Sequence, residues 1–393
     1  MTRSSAFLSL NLAHFFDHFV LMILPTAALA TGADYAGSLQ PATWAFLAFA
    51  LATMPAGWLG DRWGRVAMMR LFWFGTVAGC LVAGLVPGGT GLTLGLILIG
   101  LFAAIYRPVA TALVMGFQEQ AGHALAVNGV WGNMGVAAAT LATALLAQWL
   151  SWQAAFVVPG LAMLVLGCHY VMLPASAHTA AVPAPTHAAG EPGAQLRVVA
   201  FLAVSGLFGG LIFTGATIAL PKLLAERLPG TGLALIGVLA AVIFGAAAFA
   251  QLPVGRLLDR WGARPLLFAV EAVKAPLLLA MALAPGAAGA VLAMPVMLLV
   301  FGEIPLTAWL LGRYLGERWW SRAYAVQYLL SLGVAAGTVP LITGLYAATG
   351  GQTALFVILA ACSTTILCAT FLVPRQMPAA PCRTAGAASA LAG

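Results

Sequence analysis

Three side chains that can bind and release protons lie close together near the start of the chain. His14, Asp17 and His18 are separated by three and four residues, so on a helix they occupy one face. A carboxyl group beside two imidazoles is suited to proton transfer, because histidine titrates near neutral pH. The alternatives are a polar cluster that only packs against another helix, or a metal site formed by the three side chains. No second histidine-rich helix is present to complete a metal site, so no bound metal is expected.

One arginine and one glutamate stand inside long apolar segments. Arg107 is followed directly by Pro108, and Glu303 is followed two residues later by Pro305. A charge at the middle of a membrane costs at least about 2.5–3.5 kcal/mol, so such residues usually face a cavity, a partner or a pathway. Because arginine stays protonated, Arg107 requires an anion, which Asp17, Glu303 or a substrate supplies. We predict that Arg107 binds substrate and that Glu303 is a second proton carrier; a structural ion pair is the alternative for Arg107.

A second pair of opposite charges occurs in another apolar segment. Glu271 and Lys274 are three residues apart, which places them together on one helical face. They can therefore neutralise each other inside the membrane. We predict a structural pair, or a lysine that reaches a neighbouring helix.

The composition excludes a soluble protein. Hydrophobic residues make up 62% of the 393 residues, charged residues only 7%, and the mean hydropathy is +1.01, whereas soluble domains carry about 25% charged residues. The net charge of +7 does not indicate nucleic-acid binding, because the basic residues are dispersed among short loops. The five cysteines form no CxxC pair. No Walker loop, GxSxG turn or dinucleotide fingerprint is present, so neither an enzyme nor a cofactor is predicted.

Apolar windows of about 20 residues, the length that crosses a bilayer, predict an all-α membrane protein with twelve transmembrane helices. Turn residues separate several of them, for example at 87–89, 229–230, 285–286 and 350–351. The first span has no convincing cleavage site and is predicted to be a retained helix. The predicted spans are 6–30, 41–60, 67–86, 90–117, 125–149, 152–173, 197–222, 231–256, 265–284, 288–314, 322–348 and 352–373.

One loop sequence occurs twice, half a chain apart. Residues 57–65 are GWLGDRWGR and residues 255–264 are GRLLDRWGAR, which aligns Asp61 with Asp259. This pattern resembles the motif between helices 2 and 3 of the major facilitator superfamily, which recurs between helices 8 and 9. The resemblance implies two pseudo-symmetric six-helix bundles at 1–173 and 197–374, a cytoplasmic linker at 174–196 and a disordered tail at 375–393.

The resemblance also implies roles for the loop charges. In the family these charges form ion pairs where the two bundles meet on the cytoplasmic side, and the pairs break when the protein opens inward. Asp61 is thereby expected to stabilise the outward-open state. Ala263 lies where the family often has a basic residue, so the ion pairs of the second copy are expected to be weaker. The predicted gating residues are Asp61, Arg62, Arg65, Asp259, Arg260 and Arg264.

Basic residues predict the orientation. With both termini in the cytoplasm, thirteen arginines fall inside, whereas only Lys222 and Arg227 fall outside. This asymmetry follows the positive-inside rule and supports an even number of spans in a bacterial inner membrane. The inside residues are Arg3, Arg62, Arg65, Arg70, Arg197, Arg256, Arg260, Arg264, Arg313, Arg318, Arg322, Arg375 and Arg383.

Two further predicted helices carry distinctive residues. The fifth has Gly129, Gly132 and Gly135 at every third position, which lets helices approach closely. Exporters of the family often have a glycine-rich fifth helix, but their usual Gly-Pro pair is missing here. The eleventh carries hydrogen-bonding groups on a helix that usually lines the family's cavity. Besides Arg107, the predicted substrate contacts are Tyr106, Trp131, Gln327 and Tyr328; simple packing is the alternative for the aromatic ones.

These observations together predict a proton-coupled secondary transporter that works by alternating access. The strings HFFDHFVLMILPTAAL and AAIYRPVATAL are similar to drug exporters of the fosmidomycin-resistance type and to siderophore exporters. We therefore expect export of a small polar metabolite, in the narrowest form an alcaligin-type siderophore. Drug efflux, proton-driven import of a nutrient anion, and a transporter-like receptor or scaffold are the alternatives. The expected partners are a small-molecule substrate, protons and the lipid bilayer, without nucleic acid, and the protein is expected to be a monomer.

Overall fold

The structure is a computed structural model that describes residues 2–31, 34–115, 121–174, 192–314 and 317–374. All regular secondary structure in these ranges is helical. The N-terminal half, before the gap at 175–191, contains α1 (Thr2–Leu21), α2 (Ile23–Ala27), α3 (Tyr35–Leu39), α4 (Ala42–Trp63), α5 (Arg65–Leu85), α6 (Gly88–Ala103), α7 (Tyr106–Met115), α8 (Ala121–Trp149) and α9 (Ala154–Met172). The C-terminal half contains α10 (Pro192–Arg227), α11 (Leu233–Phe249), α12 (Gln251–Trp261), α13 (Ala263–Leu283), α14 (Gly286–Gly302), α15 (Ile304–Tyr314), α16 (Glu317–Thr349) and α17 (Thr353–Ala369), followed by a 3₁₀ turn at Thr370–Leu372.

The helices follow the predicted spans closely. By length and composition, eleven helical segments of the described chain are apolar enough to cross a membrane. The remaining predicted span, 322–348, lies within α16, whose apolar portion among the described side chains is Gly333–Thr349. Helix α10 begins at Pro192, within the predicted linker 174–196; the rest of that linker and the tail lie outside the described residues, apart from residue 174.

Four of the predicted spans are each divided into two helices, namely α1–α2, α6–α7, α11–α12 and α14–α15. A proline lies in the first turn of each second helix, at Pro25, Pro108, Pro253 and Pro305. Proline is tolerated in a first turn, where its missing N–H is not needed, but it interrupts a helix that would continue through it. Non-helical backbone inside a membrane is stable only where protein or a water-filled cavity surrounds it. These breaks therefore indicate where an interior cavity lies.

Both copies of the duplicated loop sequence make the same turn. Gly64 separates α4 from α5 with φ of 90°, and Gly262 separates α12 from α13 with φ of 75°. Glycine adopts positive φ without the Cβ clash that penalises other residues. We call the end of the molecule with these two turns the signature-loop end and the other end the opposite end.

Glycines allow unusually close contact between helices, as the glycine row of α8 predicts. A Cβ built on Gly135 would lie 2.0 Å from the carbonyl oxygen of Phe15, so α8 and α1 touch through their backbones. A Cβ on Gly100 would lie 2.0 Å from the carbonyl oxygen of Ala45, which brings α6 equally close to α4. Only hydrogen fits at these positions, and the close packing fixes how α1 presents its polar face.

Candidate functional site

A cavity of about 340 Å³ lies between the two halves. All four helix breaks border it, through Leu21 and Met22, Tyr106 and Arg107, Gln251, and Glu303 and Ile304. The proline-containing helix breaks therefore contribute irregular backbone to the cavity wall. Polar side chains from both halves share the wall with aromatic and aliphatic ones. Apart from Tyr106 and the two histidines, the hydroxyl and amide side chains of the wall are Thr111, Asn133, Ser205, Thr214, Thr217, Gln251 and Thr307.

The polar face of α1 forms one side of this cavity. His14 donates from Nδ1 to the carbonyl oxygen of Asn128 at 2.7 Å, which leaves its Nε2 as the acceptor when the ring is neutral. Arg107 donates to Nε2 of His18 at 3.2 Å. Because a guanidinium only donates, this Nε2 carries no proton, and His18 is neutral with its hydrogen on Nδ1. The two imidazole rings meet edge to face, with centroids 4.9 Å apart.

Asp17 lies behind the two histidines and does not line the cavity. It is completely buried, and neither carboxylate oxygen has a hydrogen-bond partner among the described residues. Its ligand atom and those of His14 and His18 lie within 4.8 Å of one another, so the sequence prediction that these residues form one cluster is matched by the geometry. A divalent cation held there would stand beside the Arg107 guanidinium, which opposes it electrostatically. The arrangement therefore favours proton chemistry over metal binding.

Tyr106 supports this cluster in addition to lining the cavity. Its ring stacks on His14 with centroids 4.7 Å apart. Its hydroxyl donates to the carbonyl oxygen of Leu10 at 3.1 Å and accepts from Asn128 Nδ2 at 2.9 Å. Asn128 also donates to Asn11 at 2.9 Å, so it joins α1, α7 and α8. Asn128 directly precedes the glycine row of α8, and the sequence alone gives it no role in the site, because its partners are distant in sequence.

The C-terminal half contributes a buried triad of charges, which we call the Glu271–Lys274–Glu303 triad. Lys274 donates to Glu271 at 2.6 Å and also to Glu303. Lys274 and Glu271 are fully buried, whereas Glu303 is 7% exposed and faces the cavity from the break between α14 and α15. Lys274 therefore pairs with Glu271 on its own helix and also reaches Glu303 at the neighbouring helix break. Both arrangements expected for Lys274 occur together.

Other predicted substrate contacts are distributed differently. Trp131 is half-buried but is not part of the described cavity wall, although it precedes Gly132, which packs against His14. The side chains of Gln327 and Tyr328 lie outside the described part of the structure. Arg107 lies over the ring of Phe49, with 5.6 Å from its guanidinium carbon to the ring centroid, and both residues line the cavity.

The predicted gating charges lie at the signature-loop end. Asp61 pairs with Arg65 at 3.8 Å within its own loop, and its side chain is 78% exposed. Arg62 lies against the ring of Trp58, with 5.5 Å to the centroid. In the second copy Arg264 lies over Phe371 at 5.6 Å and Arg260 is exposed, whereas the Asp259 side chain lies outside the described set. None of these described contacts joins one half to the other.

Contacts between the halves are found at the opposite end. The Lys222 ammonium lies 5.2 Å from the ring centroid of Tyr35 and 5.1 Å from that of Tyr346, and the two rings are 5.1 Å apart. Gln148 accepts a hydrogen bond from the backbone N–H of Ala234 at 2.7 Å. These contacts join the two halves at the opposite end through one cation, two aromatic rings and one hydrogen bond from the backbone to a side chain.

Comparisons with known proteins agree with this architecture. The sequence model described as Major Facilitator Superfamily matches residues 6–311. No curated protein matches the sequence. A structure of a bacterial homologue of the human lysosomal transporter Spinster, described as inward-facing and occupied, is 15% identical with a TM-score of 0.70 over 94% of both chains. A POT family transporter in complex with 5-aminolevulinic acid is 12% identical with a TM-score of 0.73, over 95% of this chain and 99% of the other.

Proposed function

Because the chain belongs to the major facilitator superfamily, and is therefore a multi-pass membrane transporter, we propose that it couples export of a small polar metabolite to proton entry. The observation that carries this proposal is the Asp17 carboxyl group. It is completely buried, lacks hydrogen-bond partners among the described residues, and lies beside two imidazoles and a guanidinium. A carboxylate without partners is costly inside a membrane protein, so proton uptake stabilises it.

The proposed cycle alternates between two charge states of Asp17. With Asp17 ionised, its carboxylate balances Arg107, and polar groups of the substrate bind to this charge pair through Arg107, which lines the cavity. When a proton binds Asp17, the negative member of the pair is lost and substrate binding weakens. His14, whose Nε2 is the acceptor, lies on the cavity wall and passes the proton between cavity water and Asp17. Proton and substrate therefore bind alternately, as export in exchange for proton entry requires.

The cavity favours a small polar substrate. Its volume of about 340 Å³ is near the lower limit of the roughly 300–1,000 Å³ found for small-molecule sites. Hydroxyl and amide groups line it together with aromatic rings, a mixture that suits a metabolite with several hydrogen-bonding groups. The narrowest form of the proposal is a hydroxamate siderophore. Efflux of drugs and proton-driven import of a nutrient anion are the alternative forms.

Direction and substrate class are tested first in a deletion strain grown with and without iron. Mass spectrometry of cells and medium is expected to find an iron-chelating metabolite retained inside and missing outside only under iron limitation. An unchanged secreted profile refutes siderophore export. Altered drug sensitivity or a nutrient-uptake defect in the same strain then identifies which alternative applies.

Proton coupling is tested with Asp17→Asn in proteoliposomes, using the metabolite found in that screen. We expect the variant to lose accumulation driven by a pH gradient but to retain exchange of labelled for unlabelled substrate, because exchange needs no net proton movement. Asp34→Asn is the matched control, since Asp34 caps the short helix α3 outside the cavity and asparagine also caps helices. Full gradient-driven transport by the Asp17 variant removes Asp17 from the mechanism. If substitutions that neutralise Asp17 and Arg107 leave the cells without any phenotype, the receptor or scaffold alternative is favoured.

The positive-inside rule supports the orientation that this cycle requires, with the signature-loop end and both termini in the cytoplasm of a bacterial cell. The proposed moving bodies are residues 1–173 and 197–374, joined by the linker 174–196 and followed by the tail 375–393. We propose that one chain is the working unit, because its own two halves complete the cavity wall. Alkaline phosphatase fusions after residues 86 and 229 are expected to be active on the outer side, whereas fusions after residues 63 and 261 are not.

A further inference from the structure

Every carboxylate oxygen of the Glu271–Lys274–Glu303 triad has a defined partner. Glu271 accepts from Lys274 through Oε1 at 2.6 Å and from Ser363 of α17 through Oε2 at 2.6 Å. Glu303 accepts from Ser205 of α10 through Oε1 at 3.2 Å and from Lys274 through Oε2. The triad therefore joins α10, α13 and α17 to the break between α14 and α15.

The charges of the triad do not balance. Two ionised carboxylates and one ammonium carry a net charge of −1, and Lys274 and Glu271 have no exposed surface. The described partners on neighbouring helices are neutral, because α10 supplies Ser205 and α17 supplies Ser363. Among the described side chains, no further cation or titratable group forms an ion pair or hydrogen bond with it. A buried excess charge without a counterion is strongly disfavoured, and one added proton neutralises it.

Only one member of the triad can exchange that proton with water. Glu303 lines the cavity, whereas Glu271 and Lys274 lie behind it and are not part of the wall. Glu303 lies at the break between α14 and α15. The cavity thus has a buried carboxylate system on each side, Asp17 in the N-terminal half and the triad in the C-terminal half.

We propose that the Glu271–Lys274–Glu303 triad is a second proton-binding site, which takes up one proton from the cavity through Glu303 and returns it there. In this step an O–H bond forms on a Glu303 oxygen, a hydronium ion becomes water, and the net charge of the triad changes from −1 to 0. Lys274 is a positioning residue, which holds the two carboxylates together and remains protonated. The inference rests on the proposed proton coupling and adds a site that is independent of Asp17.

The charge count makes a specific prediction for variants. Replacing either Glu271 or Glu303 with glutamine leaves one carboxylate and one ammonium, which are neutral together, so both changes remove the same protonation event. The double variant Glu271→Gln/Lys274→Met leaves Glu303 alone with a charge of −1, so the event returns. A static structural ion pair predicts no protonation event in the wild type, so neither glutamine variant would lose one. Lys274→Met alone leaves two uncompensated carboxylates and is expected to fold poorly. The double variant therefore serves only to assign the second band to the triad, and the two glutamine variants carry the test.

The measurement needs no substrate. Infrared difference spectra of the full-length protein in lipid nanodiscs are recorded as the pH is stepped, and the carbonyl stretch of protonated carboxyl groups is followed. We expect two buried carboxyl bands in the wild type, one lost in Asp17→Asn and the other lost in both Glu271→Gln and Glu303→Gln. The double variant is expected to recover the second band.

The outcomes separate the two proposals. Persistence of both bands in Glu303→Gln, or loss of a band in Glu303→Gln but not in Glu271→Gln, overturns the shared proton of the triad. An Asp17 band without any triad band leaves the proposed proton coupling intact and refutes this inference alone. Absence of every buried carboxyl band at all pH values refutes both proposals. Size-exclusion profiles of each variant confirm that the compared proteins are folded.

Discussion

Replacing Gly237 with alanine is expected to open the opposite end of the molecule. Gly237 lies one turn into α11, where this helix of the C-terminal half crosses α8 of the N-terminal half. A Cβ at this position would stand 2.3 Å from the Cβ of Ala144 and 3.0 Å from the carbonyl oxygen of Thr140. Both atoms belong to the other half, so the added methyl group separates the halves rather than disturbing one bundle.

The size of the effect follows from this overlap. Carbon atoms in contact are about 3.5–4.0 Å apart, so the new methyl group is about 1.5 Å too close to Ala144. Overpacking of this kind costs about 1–3 kcal/mol when the surroundings cannot move. The cost falls on the state in which α8 and α11 touch at the opposite end and disappears when they part. Since about 1.4 kcal/mol corresponds to a tenfold change in an equilibrium, the closed state should lose about 5- to 150-fold in relative population.

Double electron–electron resonance measures this population directly. Spin labels at Leu150 and Leu283, both exposed near the opposite end of their respective halves, report the separation there in a variant from which the five native cysteines are removed. Gly245→Ala is the matched control, because it lies on the same helix and its added Cβ has no atom within 4 Å. A distance distribution in Gly237→Ala that equals that of Gly245→Ala refutes the reasoning. A shift in both variants shows that the methyl group acts through helix stability instead.

Two further perturbations test the site and its closure. Gly132→Ala would place a Cβ 2.7 Å from the His14 ring and displace it. We therefore expect proton-driven transport, measured by uptake into vesicles, to fall at least about tenfold while the amount of protein in the membrane stays normal. Normal transport shows that the position of His14 does not matter. Lys222→Met removes the cation between Tyr35 and Tyr346. At about 0.5–2 kcal/mol for such contacts, the same label pair should report a roughly 2- to 30-fold shift toward an open opposite end. An unchanged distribution shows that closure does not depend on this cation.

The sequence determined the parts of this protein that depend on neighbours along the chain. Apolar segments of membrane length predicted the helices, and the duplicated Asp-Arg-Trp-Gly string predicted two equivalent loops. In both loops the glycine adopts the positive φ that other residues avoid. The spacing of His14, Asp17 and His18 likewise placed them together, because residues three and four apart share a helical face whatever surrounds the helix.

Only the tertiary structure decided which side chains meet across helices. Glu271 and Lys274 looked like a self-sufficient pair, but the rotation of α13 against α14 brings Glu303 to the same lysine and leaves the triad with unequal charge. Asn128 became a junction because the glycines of α8 allow α1 to approach, whereas neighbouring Trp131 was left away from the cavity wall. Spacing along one helix fixes a face, but the partner of that face depends on the tilt, rotation and separation of other helices. These are set by packing over the whole molecule, and no short segment encodes them.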